Sequence, residues 1–412
     1  MGRLMLINAG ELATCSPDTR GKSSAIGVVE DGAMMAEDGK VTWVGTTREL
    51  RRKSFGRAEV TVDAEGSLVT PGFVDPHTHL LFAGSREDEL ERKLKGESYT
   101  EILKSGGGIA RTVRETRGAT SEAIERESLG RLGQLVRNGV TTAEVKTGYG
   151  QSLEEELRHL EILRNMKRKV EVELVTTFLG LHSTPPEFAR PSEFVKHVIK
   201  SVLPAVARLR ERPRFSDCFC EEGVFSSAEC RRYLEASADL GFALKIHADE
   251  FKESGGARLA AEVGCMSADH LGRSSDGGIE EMGRRGVVAV LLPWTSLCSG
   301  IPYADARKTM DAGCRVALGT DLSPNSWIES PQLVMGLACN ALRMTPEEAI
   351  LGFTRFAADA LGREDIGRLA PGASADFLVH DFGGYRALPY ELGGRHVRRV
   401  FKKGIEIGRG AV

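Results

Sequence analysis

The chain has 412 residues, 41% of them hydrophobic and 27% charged, a balance typical of folded globular proteins that excludes a disordered or fibrous chain. Its 55 basic and 58 acidic residues leave a formal net charge of −3, which argues against nucleic acid or an anionic membrane as a partner. Because there is no apolar run of the roughly 18 residues that a spanning helix needs, no secretory signal, and no CxxC pair among eight cysteines, we expect a cytosolic protein with reduced thiols.

The two ends of the chain carry short strand-like segments separated by turn residues. Near the start, Asp31-Gly32 and Asp38-Gly39 predict turns between strands. Neither flank is long enough for a core of its own, so we predict that residues 1–66 and 363–412 form one small composite β-sandwich domain. The predicted strands of this domain are Arg3–Asn8, Ile26–Glu30, Val41–Val44, Ala375–His380 and Val397–Lys402.

Between the flanks, short β-branched runs alternate with longer segments of helical period. Ser152 and Thr345 each begin a capping-box pattern that predicts a helix start, and Gly362 suits the end of the second helix. The alternation predicts an α/β fold in which residues 67–362 form a TIM-like (β/α)8 barrel, with an open doubly wound sheet as the alternative. The eight predicted strands are Leu68–His77, Val140–Lys146, Val170–Leu179, Asp217–Cys220, Ala243–His247, Met266–His270, Gly286–Leu292 and Arg315–Thr320.

The most informative segment is Pro71–His79, where an apolar strand runs into a His-x-His pair. Because side chains alternate along a strand, His77 and His79 face the same side and their imidazoles can converge on one metal ion. Two further candidates, His247 and Asp321, follow apolar runs at the ends of the fifth and eighth predicted strands. Barrel active sites are built at the carboxyl ends of the strands, so these four residues predict a centre for a divalent ion such as zinc or iron.

Candidate acid–base groups lie around this predicted centre. Glu250 follows His247 by three residues, and His270 ends the sixth predicted strand. A metal-activated water needs an acceptor for its proton and the leaving nitrogen needs a donor, so Glu250, His270 and Asp321 are the candidates for these roles. The sequence has no GxSxG, HExxH or GxxxxGK[ST] motif, which removes the basis for a serine-hydrolase, zincin or P-loop function.

Segments at both ends of the predicted barrel carry a family resemblance. Pro71–His79, together with Gly367–Gly372 and Ala375–Phe377, resembles the amidohydrolase superfamily. The resemblance implies hydrolysis of C–N bonds in a metal-bearing barrel that carries a small β domain. Within the superfamily, the chain is similar to enzymes of histidine degradation that open an imidazolone ring. The segments of this closer similarity are Thr78–Arg86, Gly106–Ile109, Glu144–Gly150, Thr177–His182 and His247–Glu250.

The closer similarity implies a reaction and a set of substrate contacts. The implied reaction is hydrolysis of the cyclic amide of 4-imidazolone-5-propanoate to N-formimidoyl-L-glutamate, with one metal held by the four ligands named above. Arg86 is implied as the partner of the substrate propionate, a contact that guanidinium geometry suits. Tyr149 and His182 are expected to contact the ring and tail, with Tyr99 as a further wall residue. Glu250 and the sixth-strand histidine are expected to orient the water and polarise the ring carbonyl.

Two loops depart from the family's pattern. Where the family usually has Asp-x-Asn-Pro-Gly, this chain has Asp321-Leu322-Ser323-Pro324-Asn325, so Ser323 is the expected substrate contact at the Asn position. The stretch Trp294–Cys298 replaces a segment that usually contains an aromatic residue and Arg. Two alternatives stay open: a metal-dependent aminohydrolase acting on a heterocycle or formimino group, and a binding protein built on an inactive barrel. A homodimer is compatible with the sequence, which does not itself determine the oligomeric state.

Overall fold

The computed structural model describes residues 2–17, 25–53, 58–97, 101–102 and 105–408, and the strands of this part of the chain fall into two sheets. One sheet closes into a barrel and the other joins the two ends of the chain. The strands are Arg3–Ala13 (β1), Val28–Glu37 (β2), Lys40–Thr46 (β3), Val60–Asp63 (β4), Leu68–Pro71 (β5), Phe73–Asp75 (β6), Val140–Lys146 (β7), Glu173–Leu181 (β8), Phe215–Cys220 (β9), Ala243–Ala248 (β10), Ser267–His270 (β11), Val288–Leu291 (β12), Val316–Leu318 (β13), Phe377–His380 (β14), Val397–Lys402 (β15) and Ile405–Ile407 (β16).

The barrel consists of β6 to β13, which pair in chain order with every neighbour parallel. The segments that follow β6 and β13 bring its two edges together, because Thr78 bridges Leu322 in the parallel sense and the His79 N–H donates to the Leu322 carbonyl at 2.9 Å. A doubly wound sheet would leave two open edges and reverse its strand order. The prediction of an α/β fold with a (β/α)8 barrel is therefore confirmed, and the open sheet is excluded.

The helices connect successive strands, and several begin at predicted caps. Ser152 Oγ accepts the N–H of Glu155, as the capping pattern predicted. The described part of the chain has no helix that is long and apolar enough to cross a membrane. The helices are Thr47–Arg52 (α1), Glu87–Leu94 (α2), Gly108–Gly118 (α3), Ser121–Arg137 (α4), Leu153–Lys169 (α5), Pro191–His197 (α6), Leu203–Ala207 (α7), Ser227–Asp239 (α8), Gly256–Val263 (α9), Asp276–Arg285 (α10), Pro293–Ser299 (α11), Ala306–Asp311 (α12), Pro331–Leu342 (α13), Pro346–Gly352 (α14) and Arg355–Ala360 (α15).

The helix that begins after Thr345 is shorter than predicted. The capping box is present, but α14 ends at Gly352 and a separate helix, α15, begins at Arg355. The reason is that the Phe353 carbonyl accepts the N–H of Val74 in β6 at 2.8 Å. This carbonyl therefore pairs with a barrel strand instead of making a helical hydrogen bond. The prediction that this helix continues to Gly362 is therefore wrong.

The terminal sheet joins β1–β5 to β14–β16 in the order β16-β15-β14-β5-β1-β2-β3, with β4 beside β1. It is mixed, since β1 runs parallel to β4 and β5 and antiparallel to β2. A separate apolar cluster packs on it, in which the rings of Phe377 and Phe401 stack with centroids 4.2 Å apart. The prediction that both ends of the chain build one β unit is confirmed.

Two local predictions, one of a strand and one of a turn, are wrong. The predicted strand Leu68–His77 is two strands in two sheets, because the Gly72 N–H donates to Asp376 in the terminal sheet while the Phe73 N–H donates to Gly139 in the barrel. A Cβ atom at Gly72 would lie 2.2 Å from the Thr141 hydroxyl, so the crossing point requires glycine. Asp31-Gly32 lies within β2 and is not a turn between strands, whereas Asp38-Gly39 does connect β2 to β3.

Candidate active site

The four side chains predicted as metal ligands converge at the carboxyl end of the barrel. The Nε2 atoms of His77 and His247 each lie 3.3 Å from Nε2 of His79. Asp321 Oδ1 lies 3.5 Å from the His77 Nε2 and 3.4 Å from the His79 Nε2, and all four residues are buried. Ligand atoms bound at about 2.0–2.1 Å to a tetrahedral ion lie roughly 3.3–3.4 Å apart, and these four separations match that spacing. The ligand atoms of the three histidines all lie within 4.8 Å of one another, so they can share one zinc-sized ion.

Carboxylates behind two of the histidines fix the direction of their lone pairs. His77 Nδ1 lies 2.6 Å from Asp269 Oδ2, and His247 Nδ1 lies 3.2 Å from Asp217 Oδ1. A carboxylate only accepts, so each Nδ1 carries the proton and each Nε2 presents its lone pair to the centre. Burial lowers the pKa of all three histidines well below the ordinary value, which keeps them neutral. His79 Nε2 can donate a proton to only one of the two lone pairs that face it at 3.3 Å, and its buried Nδ1 has no hydrogen-bond partner among the described residues. A cation between the three nitrogens would accept all three lone pairs, so the donor set fits a metal ion.

The Asp321 carboxylate is oriented by α11, the helix that follows β12. Thr295 Oγ1 donates to Asp321 Oδ2 at 2.6 Å, which leaves Oδ1 toward the histidines. The Asp321 backbone has a φ of 52°, in the left-handed region, and its N–H donates to the His77 carbonyl at 3.0 Å. Burial raises the pKa of Asp321 to about 7, and a neighbouring cation would favour its ionised form.

A buried ionic network lies directly beneath the centre, and the sequence-based predictions missed it. Lys146 Nζ lies 2.7 Å from Asp217, 3.0 Å from Glu144 and 3.5 Å from Asp269, while Lys245 Nζ lies 2.9 Å from Glu144. All five side chains are fully buried, and two ammonium groups face three carboxylates. The signal was available, because each charge lies inside an apolar strand, and Lys245 shares the inward face of β10 with His247, two residues on.

The predicted acid–base residues lie beside the ligands. His270 Nε2 is 3.7 Å from Glu250 Oε2, and the rings of His270 and His247 have centroids 5.3 Å apart. The His270 backbone has a φ of 76°, a strained conformation for this residue type at the end of a strand. Burial, with the Asp321 and Glu221 carboxylates, raises the pKa of Glu250 well above its ordinary value, and burial lowers the pKa of His270 to about 4.

Aromatic rings form one wall of the cavity around the centre. The His182 ring stacks on His79 with centroids 5.1 Å apart and an interplanar angle of 19°, and the Tyr149 ring lies 5.1 Å from His182. Gly148 has a φ of 114°, and this positive φ favours glycine in the loop that carries Tyr149. Tyr99, the further predicted wall residue, lies outside the described residues.

Arg86 and Ser323 line the same cavity as the wall residues. Arg86 is buried and its Nε donates to Glu89 Oε2 at 3.0 Å. Ser323 is buried too, and its Oγ accepts the N–H of Ser326 at 3.2 Å within its own turn. Every predicted site residue within the described part of the chain is thus brought to one end of the barrel.

The chain was compared with protein families, curated proteins and solved structures. Residues 68–406 match the amidohydrolase family. The chain is 46% identical over 398 residues to the imidazolonepropionase of Geobacillus kaustophilus (strain HTA426), with 95% of this chain and 93% of the relative covered. It is 43% identical over 408 residues to the imidazolonepropionase of Parabacteroides distasonis, with 98% of each covered.

Two solved structures illustrate the shared fold. Atrazine chlorohydrolase from Arthrobacter aurescens TC1, complexed with zinc, superposes with a TM-score of 0.74 at 17% identity and covers 98% of this chain and 94% of that one. A 5-methylcytosine deaminase from Klebsiella pneumoniae has a TM-score of 0.73 at 16% identity and covers 98% of this chain and 97% of that one. At these identities the likeness concerns the fold alone.

Proposed function

The chain belongs to the amidohydrolase family, and we propose on this premise that it is a metal-dependent hydrolase that converts 4-imidazolone-5-propanoate to N-formimidoyl-L-glutamate. Membership confirms the resemblance that the sequence motifs indicated. The observation that carries the proposal is one pocket in which metal-ligating side chains, acid–base residues and a buried arginine meet. The names of the relatives at 46% and 43% identity support the same reaction.

His77, His79, His247 and Asp321 would hold one divalent ion, zinc or iron, because three imidazoles and one carboxylate suit either. When bound, such an ion supplies Lewis-acid chemistry, which makes a water more acidic and an amide carbonyl more electrophilic. The similar chlorohydrolase is complexed with zinc, which favours zinc as the first ion to test. The carboxylates behind two of the histidines keep their lone pairs aimed at the centre.

Glu250 is the proposed proton carrier. Hydrolysis adds the oxygen of water to the ring carbonyl carbon, and a proton of that water ends on the ring nitrogen that leaves. A buried carboxylate whose pKa is raised accepts this proton and then passes it to the nitrogen. His270 is neutral, so its N–H can donate to the carbonyl oxygen as negative charge develops there. Asp321, held by Thr295, is the alternative proton acceptor.

The remaining residues would bind the substrate. Arg86 is the proposed partner of the propionate, since a buried guanidinium in the pocket favours a carboxylate. Tyr149 and His182 offer aromatic surface to the imidazolone ring, and Ser323 offers a hydroxyl from the loop after β13. Tyr99 stays proposed as a further contact.

The reaction is tested by adding freshly prepared 4-imidazolone-5-propanoate to the zinc-loaded or iron-loaded protein and following the loss of ring absorbance. We expect rapid ring opening, formation of N-formimidoyl-L-glutamate and no ammonia. Ammonia release would indicate the alternative aminohydrolase, since ring opening liberates none. Absence of any acceleration with either metal would contradict the proposal.

The remaining proposals concern the domain boundaries, the cellular location, the partners and the assembly of the protein. We propose that residues 67–362 form the catalytic domain, except for β5, which pairs in the terminal sheet, and that residues 1–66 and 363–412 form the small domain together with β5. We further propose that the protein acts in the cytosol on a small molecule, without nucleic acid or a membrane as partner. A homodimer is proposed as its assembly, and light scattering at several concentrations would test this.

A further inference from the structure

A second and larger cavity adjoins the catalytic one. The central cavity measures about 50 Å³. The adjoining cavity measures about 500 Å³ and shares Arg86 and Asn325 with the central one. A substrate whose ring lies at the metal ligands can therefore extend its tail past Arg86 and Asn325 into the larger cavity.

Two cations on one face of α2 meet at the boundary between the cavities. Arg86, Leu90 and Lys93 line the larger cavity, at positions i, i+4 and i+7 of the α2 segment. Asn325 Oδ1 accepts from both cations, at 3.0 Å from Arg86 Nη2 and 2.7 Å from Lys93 Nζ. One neutral oxygen is thus the shared hydrogen-bond acceptor of two positively charged groups.

The larger cavity is lined by two cations, Arg86 and Lys93, and by two carboxylates, Glu87 and Glu89, but only one of the cations is paired. Glu89 pairs with Arg86 at 3.0 Å, but no carboxylate of the described residues lies within 4.0 Å of Lys93 Nζ. The acceptors around Lys93 are neutral: the Asn325 side chain and the Cys298 carbonyl at 3.5 Å. Burial and the neighbouring Arg86 lower the pKa of Lys93, and the more distant Glu89 carboxylate offsets only part of this shift.

The wall of this cavity holds a further donor that has no acceptor. Trp294 Nε1 is buried and has no hydrogen-bond partner among the described residues. Trp294 lines the larger cavity together with Lys93. Two cations that share one neutral acceptor oxygen favour a ligand with negative charge and two acceptor oxygens, which describes a carboxylate.

We propose that Lys93 is the second cation of the carboxylate site, and that a substrate carboxylate binds between Arg86 and Lys93 in the place of the Asn325 amide oxygen. This inference rests on the proposed function, since it gives the propionate of the substrate its binding site. It makes Lys93 and Asn325 determinants of specificity: Lys93 favours substrates with a negative tail, and Asn325 competes with that tail for the two cations.

The test uses binding without turnover, so it is independent of the proposed reaction. Isothermal titration at low ionic strength compares 3-(imidazol-4-yl)propanoate with the uncharged 4-ethylimidazole on the zinc-loaded protein. We expect Lys93→Gln to weaken binding of the propanoate by roughly tenfold and to leave 4-ethylimidazole binding unchanged. The matched control is Lys95→Gln, two residues along the chain, because Lys95 is exposed and pairs with Glu91 outside the cavity. It should bind both probes like the wild type.

Asn325→Ala separates competition from direct contact. If the amide oxygen only competes, this variant binds the propanoate at least as tightly as the wild type. A loss similar to that of Lys93→Gln would overturn the competing role of Asn325. Equal propanoate affinity in the wild type and Lys93→Gln, or no binding by either, would overturn the two-cation site. A wild-type protein that binds the propanoate through Lys93 but does not open the imidazolone ring would contradict the proposed reaction alone.

Discussion

Replacing Asp269 by Asn tests how strongly the buried ionic network beneath the metal ligands contributes to metal affinity. The Asp269 carboxylate accepts from His77 Nδ1 at 2.6 Å, and charge-assisted hydrogen bonds are worth about 1.5–3 kcal/mol. Asn keeps one acceptor oxygen for His77, loses the charge and places an NH2 donor beside the Ser267 hydroxyl, which can turn to accept it. We therefore expect the low end of the roughly 10–100-fold loss in metal affinity typical of such partners. A tenfold loss corresponds to about 1.4 kcal/mol.

The charges of the network indicate that Asp269→Asn will fold. Two lysines face three carboxylates in the native protein, so the substitution leaves two positive and two negative charges and no unpaired ion. We therefore expect the metal affinity to fall more than the stability does. Competition with a metal-sensitive chelating dye measures the first, and thermal unfolding of the metal-free protein measures the second.

Asp217→Asn is the matched control. Asp217 contacts His247 at 3.2 Å and Lys146 at the shorter distance of 2.7 Å. Its carboxylate therefore interacts more strongly with the lysine than with the histidine. We expect a smaller loss of metal affinity than in Asp269→Asn. Wild-type metal affinity in Asp269→Asn, or a larger loss in Asp217→Asn, would refute the view that the short carboxylate–histidine contact orients the ligand.

Three further predictions follow from the site and the core. Glu250→Gln should lower kcat by about 10²–10⁴ with unchanged metal content, whereas the exposed Glu222→Gln should have no effect; wild-type turnover in the first would contradict the role of Glu250. Removal of the metal by a chelator should lower Tm in calorimetry, since an ion present at about 1,000 times its Kd adds about 4 kcal/mol to the native state; an unchanged Tm would argue against a resident ion. Burial lowers the pKa of His159 to about 3. Below about pH 6.5 this histidine therefore binds a proton in the unfolded chain but not in the native protein. The free energy of unfolding should fall from pH 6.5 toward 3 by up to about 1.4 kcal/mol per pH unit. His159→Leu should reduce this slope in urea unfolding, and identical slopes would refute the assignment.

Local patterns were sufficient for the barrel and for the metal ligands. Short β-branched runs that alternate with segments of helical period determine a parallel sheet, and β7 and β15 begin and end where the sequence predicted. The spacing of His77 and His79 fixes them on one face of the chain. Because barrel strands all end at the same rim, residues at strand ends can be assigned to one site without knowledge of their contacts.

Only the tertiary structure determined which buried charged side chains contact the metal-ligating histidines and one another. Asp269 lies 192 positions along the chain from His77, and Lys146 meets Asp217 across 71 positions. No local pattern specifies which buried charges pair at such separations, because the pairing depends on how adjacent strands align in the barrel. The same applies to Asn325, which reaches Arg86 across 239 positions and lies in a loop whose sequence departs from the family pattern.

Composition and spacing by themselves thus determined a folded α/β barrel with a metal-ligating rim, since these properties depend on residues close together in the chain. The tertiary structure decided three features: the passage of the chain between the two sheets at Gly72, the charge balance beneath the histidines, and the contact of Lys93 with Asn325. Each depends on free energies of burial and on electrostatic contacts between segments far apart in the chain, which exist only once the strands have closed into the barrel.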